Sequence, residues 1–480
     1  MGTYIGVDLG TSGVKAVWTD ANGAILGEAS ASYPVSYPRS GWSEQDPELW
    51  FAATMRALKQ LGAHGVAGLA VGGQMHGLVA LDGRGEVIRP CILWNDGRTA
   101  AQTEYLNTLP VAEHTGNIAF AGFTAPKILW LKEHEPQNFA RISKIMLPKD
   151  YLVYRLSGAF STDCSDASGT LLFDVQNRRW SPHMLDICGI CEGQLPAVHE
   201  SFAPVGHILP KICAELGWGE VVVAAGAGDN AAAAIGTGTV HPGDCNISLG
   251  TSGTLFISSD KFALPANSAL HSFAHANGAW HLMGCILSAA GANKWWIEDI
   301  LGANYGIAEG ARPLMGKNSV FFMPYLMGER CPHNDVSLRG GFLGLAADTS
   351  REQMSLSVLE GVAFALRDCL ELVRGCGIEV RSATVCGGGA RSQLWLDILS
   401  NVLGTELYTV EAEQGPAYGA ALLAMTAAGE YADVRLAAEK IVKRRPAASP
   451  DDALAAAYDG RYAKFAALYP LLKEWYRSDG

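Results

Sequence analysis

No apolar run in these 480 residues reaches the roughly 20 that a membrane-spanning helix needs, and no charged segment at the start leads into an apolar one. The expected location is therefore the cytoplasm. Basic residues are also in short supply: 36 Lys and Arg against 48 Asp and Glu leave a net charge of −12. A surface of that sign repels nucleic acid and anionic membrane, so neither is an expected partner. A small anionic ligand is not barred, but backbone amides and a metal ion would have to meet it instead of a lysine cluster. A disulfide framework is missing too, since the eleven cysteines are odd in number and scattered. One pair, Cys188 and Cys191, has metal-ligand or redox spacing. No second Cys-x-x-Cys completes a site and the pair falls in an apparent loop, so incidental thiols are expected.

What the chain has is apolar residues, 49% against 18% charged, enough for a large core divided between two or more domains. Its organising stretch is Tyr4–Trp18, YIGVDLGTSGVKAVW, two strand-like runs joined by Gly10-Thr11-Ser12-Gly13. Glycine on both sides of this turn lets backbone N–H groups converge on an anion. Asp8, at the end of the first strand, could hold a metal riding on that anion. The same Leu-Gly-Thr-Ser-Gly returns at Leu249–Gly253, half the chain away and again between strand-like runs. A hairpin repeated at half the chain length predicts two similarly built lobes facing one cleft, divided into 1–243 and 244–480. In the second copy Ser248 stands where the first has Asp8, so only the first hairpin brings a carboxylate.

Along the chain, Ala24–Ala29 reads as a third strand, and Asp46 with Pro47 as the capped start of a helix. Gly65–Gly73 reads as a buried strand with Gln74-Met75-His76-Gly77 at its end, where open α/β sheets place ligand crevices. Trp94-Asn-Asp96-Gly-Arg98 is dense in polar groups. Lys149 and Asp150 read as a charge pair at a helix start. Thr162–Gly169 reads either as a polar loop near the cleft or as a solvated turn. The strand Val221–Ala225 passes through Gly226-Ala-Gly into Asp229, Asn230 and the helix Ala231–Ile235. In the second half, Leu287–Leu301 and Ser350–Gly375 read as helices and Phe321–Arg330 as a strand running into a polar loop. Ser382–Cys386 reads as a strand turned by Gly387, Gly388, Gly389 and Ala390 into the helix Gln393–Leu403. Residues after Asp433 read as a helical tail.

Three glycine turns at strand ends, two fit for phosphates and the third for a flat base, resemble the layout of the actin-like, sugar-kinase and heat-shock ATPase superfamily. Two longer segments narrow this. Gly122-Phe-Thr-Ala-Pro-Lys-Ile-Leu-Trp-Leu-Lys-Glu-His134, and Gly340-Gly-Phe-Leu-Gly-Leu345 continuing to Glu360, are similar to the two signatures of the FGGY carbohydrate kinases. The likeness runs from Tyr4 to about Gly429. Within the family, Gly73–Gly77, Trp94–Arg98, Leu147–Leu152 and Gly226–Asn230 are most similar to members that act on D-xylulose. Glycerol kinases carry Arg-Glu where this chain has Met75-His76, and the family's usual middle glycine before the aspartate is Ala227 here.

The resemblance implies an α/β fold of two ribonuclease-H-like lobes, with ATP in the cleft, a sugar deep in the first lobe and possible homodimerisation. It implies phosphoryl transfer from ATP to C5 of D-xylulose, with Asp229 as the base that accepts the hydroxyl proton. Asp8 and Asp229 would hold Mg²⁺. Gly10, Thr11, Ser12, Gly250, Thr251 and Ser252 would steady phosphates, and Gly387, Gly388, Gly389 and Ala390 the adenosine. Gln74, Met75, His76, Trp94 and Asn230 would contact sugar. Blander readings stand beside these: Asp229 as a helix cap, His76 as a structural histidine, Trp94 as packing, Asp96 and Arg98 as an ion pair shaping a wall. The rival functions are a kinase for another ketose or polyol, such as ribulose, erythritol or glycerol, and a nucleotide-switched binding protein of the actin type.

Overall fold

The computed structural model describes residues 2–265, 269–411 and 414–477. Among them, two seven-stranded sheets carry the fold. In the first, β1 (Thr3–Leu9) and β2 (Gly13–Asp20) form the antiparallel hairpin read from the sequence, and β3 (Ile25–Ser32) lies on the far side of β2. Helix α1 (Pro47–Leu61) begins where the Asp46 carboxylate accepts the Glu48 N–H, and it ends at Gly62 in the left-handed region. It returns the chain to β4 (Val66–Gly73), which runs parallel to β1. Helices α2 (Thr124–His134) and α3 (Pro148–Ser157) follow. The strands β5 (Pro204–His207), β6 (Val222–Ala224) and β7 (Ala227–Gly228) then complete the sheet, in the order β5-β6-β4-β1-β2-β3 with β7 also on β4. Helix α4 (Asp229–Gly236) leaves β7 directly, so Asp229 stands at a strand end and at the first residue of a helix.

The second sheet repeats the plan. Its hairpin is β8 (Asp244–Leu249) with β9 (Gly253–Ser259), followed by β10 (His271–Ala274) and β11 (Trp280–Ile286). The long helix α5 (Arg351–Gly375) starts in a capping box in which Ser350 and Gln353 each bond the other's backbone N–H. Strand β12 (Ser382–Cys386) runs parallel to β8, and helix α6 (Gln393–Leu403) leads to β13 (Glu406–Val410). After helix α7 (Gly415–Ala427), β14 (Arg444–Ala448) closes the edge, for the order β10-β11-β9-β8-β12-β13-β14. In both sheets a central strand thus has its hairpin partner on one side and a parallel strand on the other. That is the two-lobed α/β architecture expected from the repeated hairpin.

Helix α7 stands in sequence between β13 and β14 of the second sheet but packs on the first sheet. Its inner residues Ala417, Ala420, Ala421, Leu422 and Leu423 are fully buried, and each of the two leucines contributes about 2 kcal/mol by leaving water. Glycines let the backbones meet. A Cβ on Gly6 of β1 would lie 1.8 Å from the Ala417 carbonyl oxygen, and one on Gly419 would lie 1.7 Å from that of Ala232 in α4. Helices α4 and α7 therefore touch main chain to main chain at Ala232 and Gly236 of α4.

Three expectations are corrected. Leu287–Leu301 is not one regular helix: Ala290–Lys294 is α-helical and Trp295–Leu301 is π-helical. The segment after Asp433 is not wholly helical, because Arg444–Ala448 pairs with β13. Pro446 is tolerated there because β14 is an edge strand. Cys188 is not in a loop but ends the helix Pro182–Cys188, where it is buried, while Cys191 is exposed.

Candidate active site

Three adjoining cavities run along the cleft. The deepest, about 280 Å³, is lined by Met75, His76, Trp94, Phe120 and Phe123 of the first half and by Ser248, His271, Cys285 and Arg330 of the second. A second, about 540 Å³, is lined by Asn246, Thr254, Gly387, Gly388 and Pro416. The outermost, about 640 Å³, lies among Thr251, Gly291, Lys294, Gly388, Gly389 and Trp395. Asp229 and Asn230 line both of the first two and so stand at their junction.

Asp229 is held by its neighbour. Its Oδ1 accepts the Asn230 backbone N–H at 2.7 Å and the Asn230 Nδ2 at 2.9 Å, leaving Oδ2 for a ligand. Burial pushes its carboxyl up to about 6, against those two bonds. Asp8, at the end of β1, is pushed up to about 7 by burial and then by Asp229, with Lys15 opposing. Among the described residues none donates a hydrogen bond to the Asp8 carboxylate. A half-buried acceptor without a protein donor, facing a second carboxylate, is a donor set that suits a hard divalent cation carried on phosphate oxygens.

Behind Asp229 lies an ionic cluster that the sequence reading took for a simple charge pair. Lys149 is fully buried and bonds Asp150 at 2.7 Å, Asp163 at 2.9 Å and the Ala225 carbonyl at 3.1 Å. Desolvation would lower its pKa, but Asp150, Asp163 and Asp166 hold the ammonium above its usual range. Ser165 donates to Asp163 and accepts the Gly228 N–H at 3.1 Å. Thr162–Gly169 is thus the buried support of the segment entering Asp229, and the solvated-turn reading falls.

Met75 and His76 reach the deep cavity from the end of β4. His76 has φ +70, and its carbonyl accepts Thr124 Oγ1 at 3.0 Å and Lys127 Nζ at 2.8 Å from α2. Its ring stacks on Phe123, and Nδ1 donates to the Gly169 carbonyl at 2.7 Å. Burial, then Lys127, depresses its pKa to about 3, so the imidazole is neutral and Nε2 is an acceptor. Gln74 is not among the lining residues. It lies 2% exposed beneath them, bonded to Gln45, with its Oε1 unpartnered. Trp94 is 39% exposed at the cavity wall instead of being packed inside, and its indole N–H donates to Thr11 Oγ1. Asp96 and Arg98 form a buried two-pronged ion pair at 2.7 and 2.8 Å under Trp42, and neither is a lining residue of the cavity.

The three glycine turns lie where strand ends meet the cleft. Gly10 closes its turn with a bond to the Gly13 carbonyl, and Tyr33 donates to the Gly10 carbonyl at 2.5 Å. Thr11 is partly exposed and Ser12 exposed at the mouth. Gly250 and Ser252 line the deep cavity, and Thr251 the outermost. Gly387 has φ +85, and a Cβ there would meet the Leu249 backbone at 2.8 Å. Ala390 follows in a short 3₁₀ turn that returns an N–H to Gly387. Sequence reasoning missed Phe120, Phe123, His271, Cys285 and Arg330. Phe123 stands inside the first signature segment, but the others have no local pattern that marks them.

The chain matches the FGGY family of carbohydrate kinases, N-terminal domain, over residues 3–236 and the C-terminal domain over residues 245–428. It is 42% identical to the xylulose kinase of Escherichia coli (strain K12), across 98% of this chain and 99% of that protein. To the xylulose kinase of Bacillus subtilis (strain 168) it is 37% identical, across 93% and 92%. Among solved structures, a xyloylose kinase from Brucella ovis superposes with a TM-score of 0.95 at 42% identity, covering 98% of this chain and all of that one. Two matched domains and relatives of this identity along nearly the whole length lead to one statement: the chain belongs to the FGGY family of carbohydrate kinases.

Proposed function

We propose that the chain transfers the γ-phosphoryl group of ATP to the C5 hydroxyl of D-xylulose. The observation that carries this reading is the position of Asp229, whose carboxylate borders both the deep cavity and the one leading to the glycine turns. The relatives named xylulose kinase support the choice of sugar, and so does Met75-His76 in the cavity wall.

A sugar hydroxyl is a weak nucleophile, and Asp229 is placed to take its proton as the bond to phosphorus forms. The C5 oxygen attacks the γ-phosphorus, the bond from phosphorus to the bridging oxygen breaks, and ADP leaves with the electron pair. Asn230 fixes the Asp229 carboxylate through Oδ1, so that Oδ2 presents itself to the hydroxyl. Neutral His76 offers Nε2 to a second sugar hydroxyl. Backbone amides of Gly10–Gly13 and Gly250–Gly253 orient the phosphates, and Gly387–Ala390 takes the adenosine. Asp8 and Asp229 would hold Mg²⁺, which supplies charge neutralisation on the phosphates. Aromatic walls from Trp94, Phe120 and Phe123 exclude water, which would otherwise compete as acceptor.

The test is ADP release with Mg-ATP in the presence of D-xylulose, D-ribulose, glycerol or erythritol. Strong stimulation by D-xylulose above the others is the expected result. Preference for another polyol would overturn the sugar, and release indifferent to every sugar would overturn the kinase reading.

A further inference from the structure

The deep cavity is a composite. Met75, His76 and Phe123 come from the first half, while His271, Cys285 and Arg330 come from the second. Arg330 is set on a firm base. The preceding Glu329, 1% exposed, accepts the backbone N–H of Leu287 at 2.9 Å and of Arg330 itself at 2.7 Å. Cys331 N–H bonds the Cys285 carbonyl at 3.1 Å. The loop is thereby pinned to the end of β11, and the side chain crosses toward the first lobe, its guanidinium carbon 5.6 Å from the Phe120 ring.

Among the described residues, no carboxylate lies within ion-pair distance of this guanidinium and no oxygen accepts its N–H groups. Its charge is felt by His76, His271, Cys285 and Glu329. Asp229 responds instead to burial and Asn230, and Asp8 to burial, Asp229 and Lys15. Arg330 lines the deep cavity only, whereas Asp229 and Asn230 also line the cavity next to it, so Arg330 serves the end of the deep cavity away from Asp229. Arg330 is partly buried at the cavity wall, and its guanidinium is a donor-only fork that a ligand carrying acceptors would complete. Of the two ends of a ketose, the one bearing a carbonyl beside a hydroxyl offers neighbouring oxygens in a plane, which matches that fork.

We propose that Arg330 is a specificity-determining residue, donating from the second lobe to the keto oxygen and adjacent hydroxyl of the sugar end remote from Asp229. The proposal rests on the ketose-kinase reading above. Because neither lobe alone holds both ends of the sugar, a bound ketose bridges them, and a polyol without the carbonyl bridges them less well.

The experiment compares kcat/KM on D-xylulose, on xylitol, which has the same carbon chain without the carbonyl, and on D-xylonate, in wild type, R330M and R330K. Losing hydrogen bonds to a charged donor is worth on the order of 10- to 100-fold. The expected result is a loss of that size on D-xylulose in R330M, expressed in its KM, with KM for ATP changed less than about twofold. The preference for D-xylulose over xylitol should collapse by the same factor. R330K keeps the charge but not the fork, so it should lose most of the preference too, and it serves where R330M fails to fold. Equal losses on D-xylulose and xylitol, or a change confined to ATP, would overturn the proposal. So would wild-type preference for D-xylonate, since the arginine would then be reading a carboxylate. Should wild type refuse all ketoses, the substrate reading itself falls, which is a separate result from a retained preference in the variants.

Discussion

The indole N–H of Trp94 donates to the hydroxyl of Thr11 at 2.9 Å, tying the wall of the deep cavity to the first glycine turn. The two groups are 83 residues apart in the chain, yet folding brings them together at the wall of the deep cavity. The turn is braced from behind as well, by Gln45 Nε2 on the Thr11 carbonyl at 2.7 Å and by Tyr33 on Gly10. Trp94→Phe keeps most of the ring and deletes the bond. One such bond is worth about 1 kcal/mol, so kcat/KM should fall about fivefold. Steady-state kinetics with both substrates varied would check this, and an unchanged constant would make the contact incidental.

Asp229 must be ionised to accept a proton, and burial holds its carboxyl up at about 6. The rate should therefore rise with pH through that value and level off above it. Asp229→Asn should lower kcat by about 10²- to 10⁴-fold while the protein still binds D-xylulose. A pH profile of kcat/KM flat down to pH 4.5 would argue against Asp229 as the base.

Asp8 carries a related signature. Its folded pKa of about 7 lies above the unfolded value. The folded state thus binds the extra proton between about pH 4 and 7, and stability falls as pH rises through that window. Asp8→Asn should raise the melting temperature of the ligand-free protein at pH 7.5 and leave it nearly unchanged at pH 4. Mg-ATP binding at pH 6.5 should release protons, because a metal-held carboxylate must be ionised. Calorimetry in buffers of different ionisation enthalpy should see a larger release in wild type than in the variant, where only Asp229 still gives up a proton.

Lys149 is the cation of a fully buried cluster, and its removal leaves Asp150, Asp163 and Asp166 without it. Lys149→Met should cost about 3–5 kcal/mol, the usual penalty for stripping one partner from a buried ion pair. Denaturant unfolding measures it, and a loss below about 1 kcal/mol would show that the carboxyls adapt by taking up protons.

Much of this was legible because it is local. The hairpins at Gly10–Gly13 and Gly250–Gly253 are specified by their own turn residues, and Asp229 by the strand, glycines and alanine helix around it. The Asp46–Pro47 and Ser350–Gln353 helix starts are likewise local capping chemistry. Arg330 and His271 were not legible, since they are carried to the cavity from the other lobe and nothing within their own segments marks a destination. Lys149 reads as half of a helix-start charge pair with Asp150 because its further partners Asp163 and Asp166 lie on a segment that only folding brings near. Strand β14 was hidden by Pro446 and two arginines, which suit an edge and would not suit a sheet interior. Gln74 was placed in the wall by its position after β4, but the strand's alternation turns it inward.

The main-chain seating of α7 on α4 and β1 bears on how the cleft can move. Close contacts at Gly6 and Gly419 leave no layer of side chains there to change rotamer and let one surface glide over another. Domain closure by shear needs such a layer, and closure by hinge does not. The seam therefore holds α4, α7 and β1 as one block, so that Asp229 at the start of α4 and Asp8 at the end of β1 keep their spacing whatever the rest of the cleft does.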